Sequence, residues 1–95
     1  MAVKIIIHRK VPKGKESQLV PLLIDLRSIA TTQPGYISGE TLRNVNDPQD
    51  YLVISTWQSA EEWKAWEASQ GRAEIQAKID ALLGEKSVYR IYYYG

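Results

Sequence analysis

From Val3 to Val11 the apolar positions alternate. Val3, Ile5, Ile7 and Val11 share a face with Arg9, while Lys4, Ile6, His8 and Lys10 share the other. Period two with β-branched residues predicts a strand whose first face meets helices and whose second, mixed face suits partial cover by another subunit. Pro12-Lys13-Gly14 ends it, since proline withholds the ladder donor and glycine permits the bend. Over Lys15 to Thr31 the spacing changes to steps of three and four. Leu19, Leu22, Leu23, Leu26, Ile29 and Ala30 form one apolar stripe, and Val20 and Ile24 a second flank. Pro21 lies too deep for the favoured first position, so a bent helix is expected. Tyr36 to Asn44 reads as a second strand, with Gly39 marking a bulge or a close backbone approach. Asn46-Asp47-Pro48 predicts the hairpin turn into a third strand, Tyr51 to Trp57.

The third strand gives way to a helix at one identifiable point. Ser59 is followed three residues later by Glu62, the pattern in which a hydroxyl takes the N3 amide and a carboxylate reaches back to the cap amide. Ala60, Trp63, Trp66 and Gln70 then recur at helical spacing. All three tryptophans of the chain, Trp57, Trp63 and Trp66, thus sit in one hinge, where a pocket is expected. The helix pauses at Ser69-Gln70-Gly71 and resumes through Ile75, Ile79, Leu82 and Leu83 to a left-handed cap at Gly84. Lys86 to Tyr94, with four tyrosines, reads as a fourth strand that needs cover.

The order β-α-β-β-α-β is an α+β, ferredoxin-like split arrangement: a four-stranded antiparallel sheet with helices on one face. Two helices cover one face only, so the face carrying Ile6 and His8 predicts a homodimer packed sheet against sheet. Ninety-five residues predict a single domain, 1–95, of marginal independent stability. There is no cysteine, hence no disulfide and no thiolate nucleophile, and one histidine with scattered carboxylates offers no metal site. A net charge of +1 without a basic stripe argues against nucleic acid. No apolar run is long enough for a membrane span, and a cytoplasmic protein is expected.

The Pro34-Gly35-Tyr36 turn, the Asp47-Pro48 hairpin and the set Trp57, Ser59, Glu62, Trp66 and Ser69 carry a resemblance over nearly the whole chain, Val3 to Tyr93. They resemble the antibiotic biosynthesis monooxygenase family, small proteins that pair into a dimeric α+β barrel. The resemblance implies a cofactor-independent monooxygenase acting on an electron-rich phenol, anthrone or quinol with dioxygen. The substrate is deprotonated in a dry cavity, and its anion itself reduces oxygen. His8 could accept the proton, Arg9 could stabilise the anion and Trp66 could complete the catalytic set, with Ile5, Ile7, Tyr36, Trp57 and Trp63 binding the ring. Arg72, at the helical break, could stand at a pocket mouth.

Each residue has a plainer reading. The indoles can be core, His8 an interface histidine, Arg9 a snorkelling strand-end residue, and the tyrosines dimer contacts. The oxygenases of this family carry an asparagine on the Trp57 face of the third strand, where this chain has Val53 and Ser55. The haem-degrading members need an asparagine in the first strand and a histidine ten residues after the hinge tryptophan. Ile7 and Gln76 stand there, so haem is set aside and no cofactor is expected. The alternative to an enzyme is a non-catalytic member that binds a small molecule or another protein.

Overall fold

A computed structural model describes residues 1–95 as β1 (Val3–Lys10), α1 (Glu16–Ala30), β2 (Tyr36–Asn44), β3 (Asp47–Trp57), α2 (Ala60–Glu67), α3 (Gln70–Leu83) and β4 (Val88–Tyr93). The strands form one antiparallel sheet in the order β2-β3-β1-β4. This is the expected α+β, ferredoxin-like arrangement, with the second helical region in two pieces. No helix is long and apolar enough to cross a membrane.

Alternation along β1 decides which side of the sheet is which. Val3, Ile5, Ile7 and Arg9 are buried beneath the helices, as is Val11 just beyond the strand. Its amide donates to Gln49 O and prolongs the pairing. The helical side holds two clusters. Val3, Ile5, Ile7, Ala30 and the three tryptophans make one; Val11, Leu19, Tyr51 and Ile79 make the other. On the opposite side the register sets Ile6 beside Ile54 and Arg90, and His8 beside Leu52 and Val88, with no element over them. Leu42, Val88 and Tyr92 are exposed there. Tyr89 does not join them. It turns to the helical side, with its ring 5.5 Å from that of Trp63.

The hairpin turn falls earlier than expected, at Val45-Asn46, and Asp47 and Pro48 belong to β3. Asn44 causes the shift: its Oδ1 accepts the Asn46 amide at 2.8 Å and closes the bend locally. Pro48 is tolerated because the pairing of β1 with β3 stops at Gln49, one residue short of it. Gly71 lies in the first turn of α3, not in a break, because Ser69 caps that helix by accepting the Arg72 amide at 3.3 Å. Gly84 ends it in the left-handed region, at φ 75°. At Gly39 the close approach is realised, since an added Cβ would lie 2.8 Å from the Tyr36 hydroxyl.

The strand-to-helix turn is fastened from outside. Ser59 Oγ accepts the Glu62 amide at 3.1 Å and donates to Glu62 Oε1 at 3.0 Å, so the carboxylate takes the cap hydroxyl where the cap amide was expected. Gly35, at φ 86°, accepts the Gln58 amide on its carbonyl at 2.8 Å and lies against the Glu62 side chain. An alanine there would meet Glu62 Cδ, Oε2 and Cβ. The Gly14 position has the same φ and open space. Gly35→Ala is therefore expected to cost about 2–4 kcal/mol in urea unfolding, against about 1 kcal/mol for Gly14→Ala. Equal losses in the two variants would show that the Glu62 contact adds nothing.

Candidate functional site

Trp57 ends β3 pointing beneath the helices, and α2 folds back across it. Trp63 and Trp66 stand three residues apart on the inner face of α2, so both indoles reach Trp57. The ring centroids lie 5.8 Å and 6.4 Å from it, edge-on for Trp63 and stacked for Trp66. Tyr36 meets Trp57 edge-on at 5.4 Å from the other side. Trp57 Nε1 donates to Ser55 Oγ at 3.2 Å, whereas Trp63 Nε1 is buried with no acceptor.

These rings wall a cavity of about 70 Å³ between the sheet and the helices. Ile7 and Val53 lie under it, Leu23, Leu26 and Ala30 close it from α1, and Arg9, Arg72 and Gln76 supply its polar end. That volume holds a few waters and falls short of the flat aromatic molecule expected here. A wider groove of about 400 Å³ lies outside, between α1 and the β2–β3 edge. Leu23, Arg27 and Thr41 line both spaces. Arg27 Nη2 donates to Thr41 Oγ1 at 3.1 Å, a single exposed bond from α1 to β2 at their boundary.

Of the residues expected at a site, Arg9, Ile7, Tyr36, Trp57, Trp63 and Trp66 line the cavity. Ile5 is fully buried in the core but is not among the lining residues. His8 is not brought to the cavity at all. Period two sends it to the open face, where its imidazole is exposed and Nδ1 lies 3.7 Å from Asp50 Oδ1. Arg72 is more than a residue at a mouth: it is buried, with its guanidinium carbon 5.5 Å from the Trp63 ring centroid.

Gln76 is the residue whose role the sequence did not reveal. Its Oε1 accepts from Arg9 Nη2 and Arg72 Nη2, both at 3.5 Å. Its Nε2 donates to Asp80 Oδ1 at 2.9 Å and to Ser87 Oγ at 3.0 Å. One signal pointed to it: the spacing of ten from Trp66, considered only for a haem ligand. No three His, Asp or Glu side chains gather as a metal site would need.

The electrostatics are lopsided. Arg9 is 3% exposed, and burial, then the neighbouring Arg72 charge, pushes its guanidinium down to about 10, with Asp80 opposing. Burial likewise lowers Arg72, against the pull of Glu67 and Asp80. At about 10, Arg9 remains cationic at neutral pH. Neither arginine forms an ion pair within 4.0 Å, for the only pairs are His8–Asp50 and Lys10–Asp47 on the open side and its rim.

Residues 2–78 match the family model described as antibiotic biosynthesis monooxygenase. Protein SchA from Streptomyces halstedii is 23% identical over 78 residues, which are 82% of this chain and 20% of that protein. The chain thus spans about a fifth of the length of that curated relative. The fold is shared with a conserved protein from Methanosarcina mazei at a TM-score of 0.92 and 16% identity, covering 100% of this chain and 94% of the other. It is also shared with SnoaB, a cofactor-independent oxygenase from Streptomyces nogalater, at 0.87 and 16%, covering 99% and 93%.

Burial penalises the charged form of Arg9, so removing the charge removes the penalty. The depression to about 10, from burial first and the Arg72 charge second, corresponds to roughly 3 kcal/mol against folding at pH 7. Arg9→Met keeps the apolar stem and leaves Gln76 Oε1 bonded to Arg72. Its free energy of urea unfolding is expected to rise by about 1–3 kcal/mol. A fall would mean that the guanidinium is a structural tie.

Proposed function

The chain belongs to the antibiotic biosynthesis monooxygenase family, and on that premise we propose that it is a cofactor-independent monooxygenase of an electron-rich aromatic. The single observation that carries the reading is Arg9: a buried cation without an anion in contact, opening on a cavity walled by indoles. Such a site favours the anionic form of a bound phenol, anthrone or quinol over the neutral one, because positive charge in a dry surround lowers the pKa of its neighbour. The anion then reduces dioxygen directly. Arg9 and Arg72 are cations with no anion in contact, and Trp63 Nε1–H is a buried donor with no acceptor, which suits an oxygen on which negative charge develops.

The roles follow from position. Ile7, Tyr36, Trp57, Trp63 and Trp66 meet the ring once the inner space is joined to the outer groove, and Arg9 stabilises the anion. The cavity's titratable side chains are arginines and Tyr36. The proton therefore leaves to solvent as the anion binds, and His8 takes no part within this chain. Substrate enters from the outer groove when Arg27 and Thr41 part, which joins that space to the inner one.

One domain, residues 1–95, acts in this reading as a cytoplasmic homodimer closed through the open sheet face. The unpaired row of Ile6, Ile54, Leu52, Leu42 and Val88 supports that contact, with His8 within it. A second reading, a binding protein without turnover, is favoured by one observation, the lack of any carboxylate or imidazole in the cavity.

Light scattering should give twice the chain mass for the parent protein. Ile54→Asp, in the middle of the open face, should give the single mass; a dimeric Ile54→Asp would place the contact elsewhere. Oxygen uptake with a panel of phenols, anthrones and quinols, metals chelated, decides between the two functional readings. Substrate-dependent uptake should fall about a hundredfold in kcat/KM in Arg9→Gln and to a smaller extent in Trp66→Phe. A folded dimer that binds these compounds and consumes no oxygen is the binding protein.

A further inference from the structure

Arg9 and Arg72 compete for one neutral oxygen. Each Nη2 lies 3.5 Å from Gln76 Oε1, whereas a charged donor normally closes to about 2.7–2.9 Å. Their other bonds are also to uncharged acceptors: Arg9 Nε to Ser87 Oγ at 3.2 Å, and Arg72 Nη1 to Glu67 O at 3.3 Å. Asp80 belongs to the same cluster, but its Oδ1 is occupied by Gln76 Nε2, Ser87 N and Ser87 Oγ. Asp80 acts on both arginines and Glu67 on Arg72, but neither carboxylate comes within 4.0 Å of a guanidinium, so both cations are buried at the cavity without an anion in contact. A buried charge in that state calls for an anion.

We propose that the ligand is an aromatic carboxylic acid whose carboxylate bridges Arg9 and Arg72, one oxygen to each guanidinium. A phenolate brings a single oxygen, the same number that Gln76 already offers, and leaves the two forks in competition. A carboxylate brings two, in a plane matched to guanidinium donors. The aromatic part follows from the walls, where Trp57, Trp63 and Trp66 offer ring faces and edges beside the pair. The pair then orients the substrate, and Trp63 Nε1–H remains as the buried donor for an oxygen on the reacting ring. The inference rests on the reading of this cavity as the substrate site and narrows the substrate class within it.

Calorimetric titration with 2-naphthoate, 2-naphthamide and methyl 2-naphthoate tests it. The acid should bind with a Kd about tenfold or more below that of the amide and the ester. Gln76→Glu places an internal carboxylate of the same size between the guanidiniums. It should cost about tenfold or more in naphthoate affinity and leave the ester unaffected, with a lower Tm because the second carboxylate oxygen then faces Asp80 Oδ1. Should that variant not fold, Arg72→Gln serves instead, and loss of the acid preference is expected. Equal affinity for acid and amide, no binding of the acid, or full naphthoate binding by Gln76→Glu would each overturn the proposal. Oxygen uptake with a neutral anthrone and no acid preference would sink this inference and leave the oxygenase reading standing. Naphthoate binding without uptake on any hydroxynaphthoate would do the reverse.

Discussion

A serine hydroxyl that takes one amide proton and gives its own to a carboxylate holds β3 and α2 at a fixed angle. Between Trp57 and Ala60 there are two residues, so the helix must turn back over the strand it has just left. That reversal brings Trp63 and Trp66 onto Trp57. Gly35 docks on the same carboxylate and brings Tyr36 to the fourth side of the indole cluster. Were the turn longer, the three indoles would have no reason to share a wall. The cavity is thus a by-product of a cap.

The polar end of the cavity has the opposite origin. It is assembled from elements far apart in sequence: Arg9 from β1, Arg72 and Gln76 from α3, and Ser87 from the segment before β4. Burying two like charges around one amide works against folding, and the desolvation of Arg9 indicates by how much. A fold selected for stability alone would fill the position with a long apolar side chain. Retaining the charges makes sense where they act on something that arrives from outside.

Alternation made most of the architecture legible. Period two in β1 gave the faces, steps of three and four gave the helices, and the Ser59–Glu62 spacing gave the hinge. The same alternation separates His8 from Arg9 by one residue and one sheet face. The proton-acceptor role offered for His8 therefore conflicts with the pattern that placed the strand. The turn at Val45-Asn46 and the cap at Ser69 were displaced by a few residues because short polar side chains close turns locally, which hydrophobic spacing does not register. The arginine pair was half legible: a charge interrupting an apolar strand face is visible in sequence, but its companion sixty-three residues away is brought there by packing. Gln76 drew notice only as a missing histidine, since an amide carries no signature until both its ends are seen to be bonded.

The clustering of the tryptophans has an optical consequence. Trp57 lies within 6.4 Å of both other indoles, and there is no further tryptophan anywhere in the chain. At such separations the transition dipoles couple, and excitation migrates among the rings faster than it is emitted. Red-edge excitation therefore samples one coupled cluster and not three independent sites. A cation lies over the Trp63 ring of that cluster, so its colour is tuned by the charge in the polar end. Tryptophan emission thus arises at the cavity wall and beside its charge, and reports on that wall without a label.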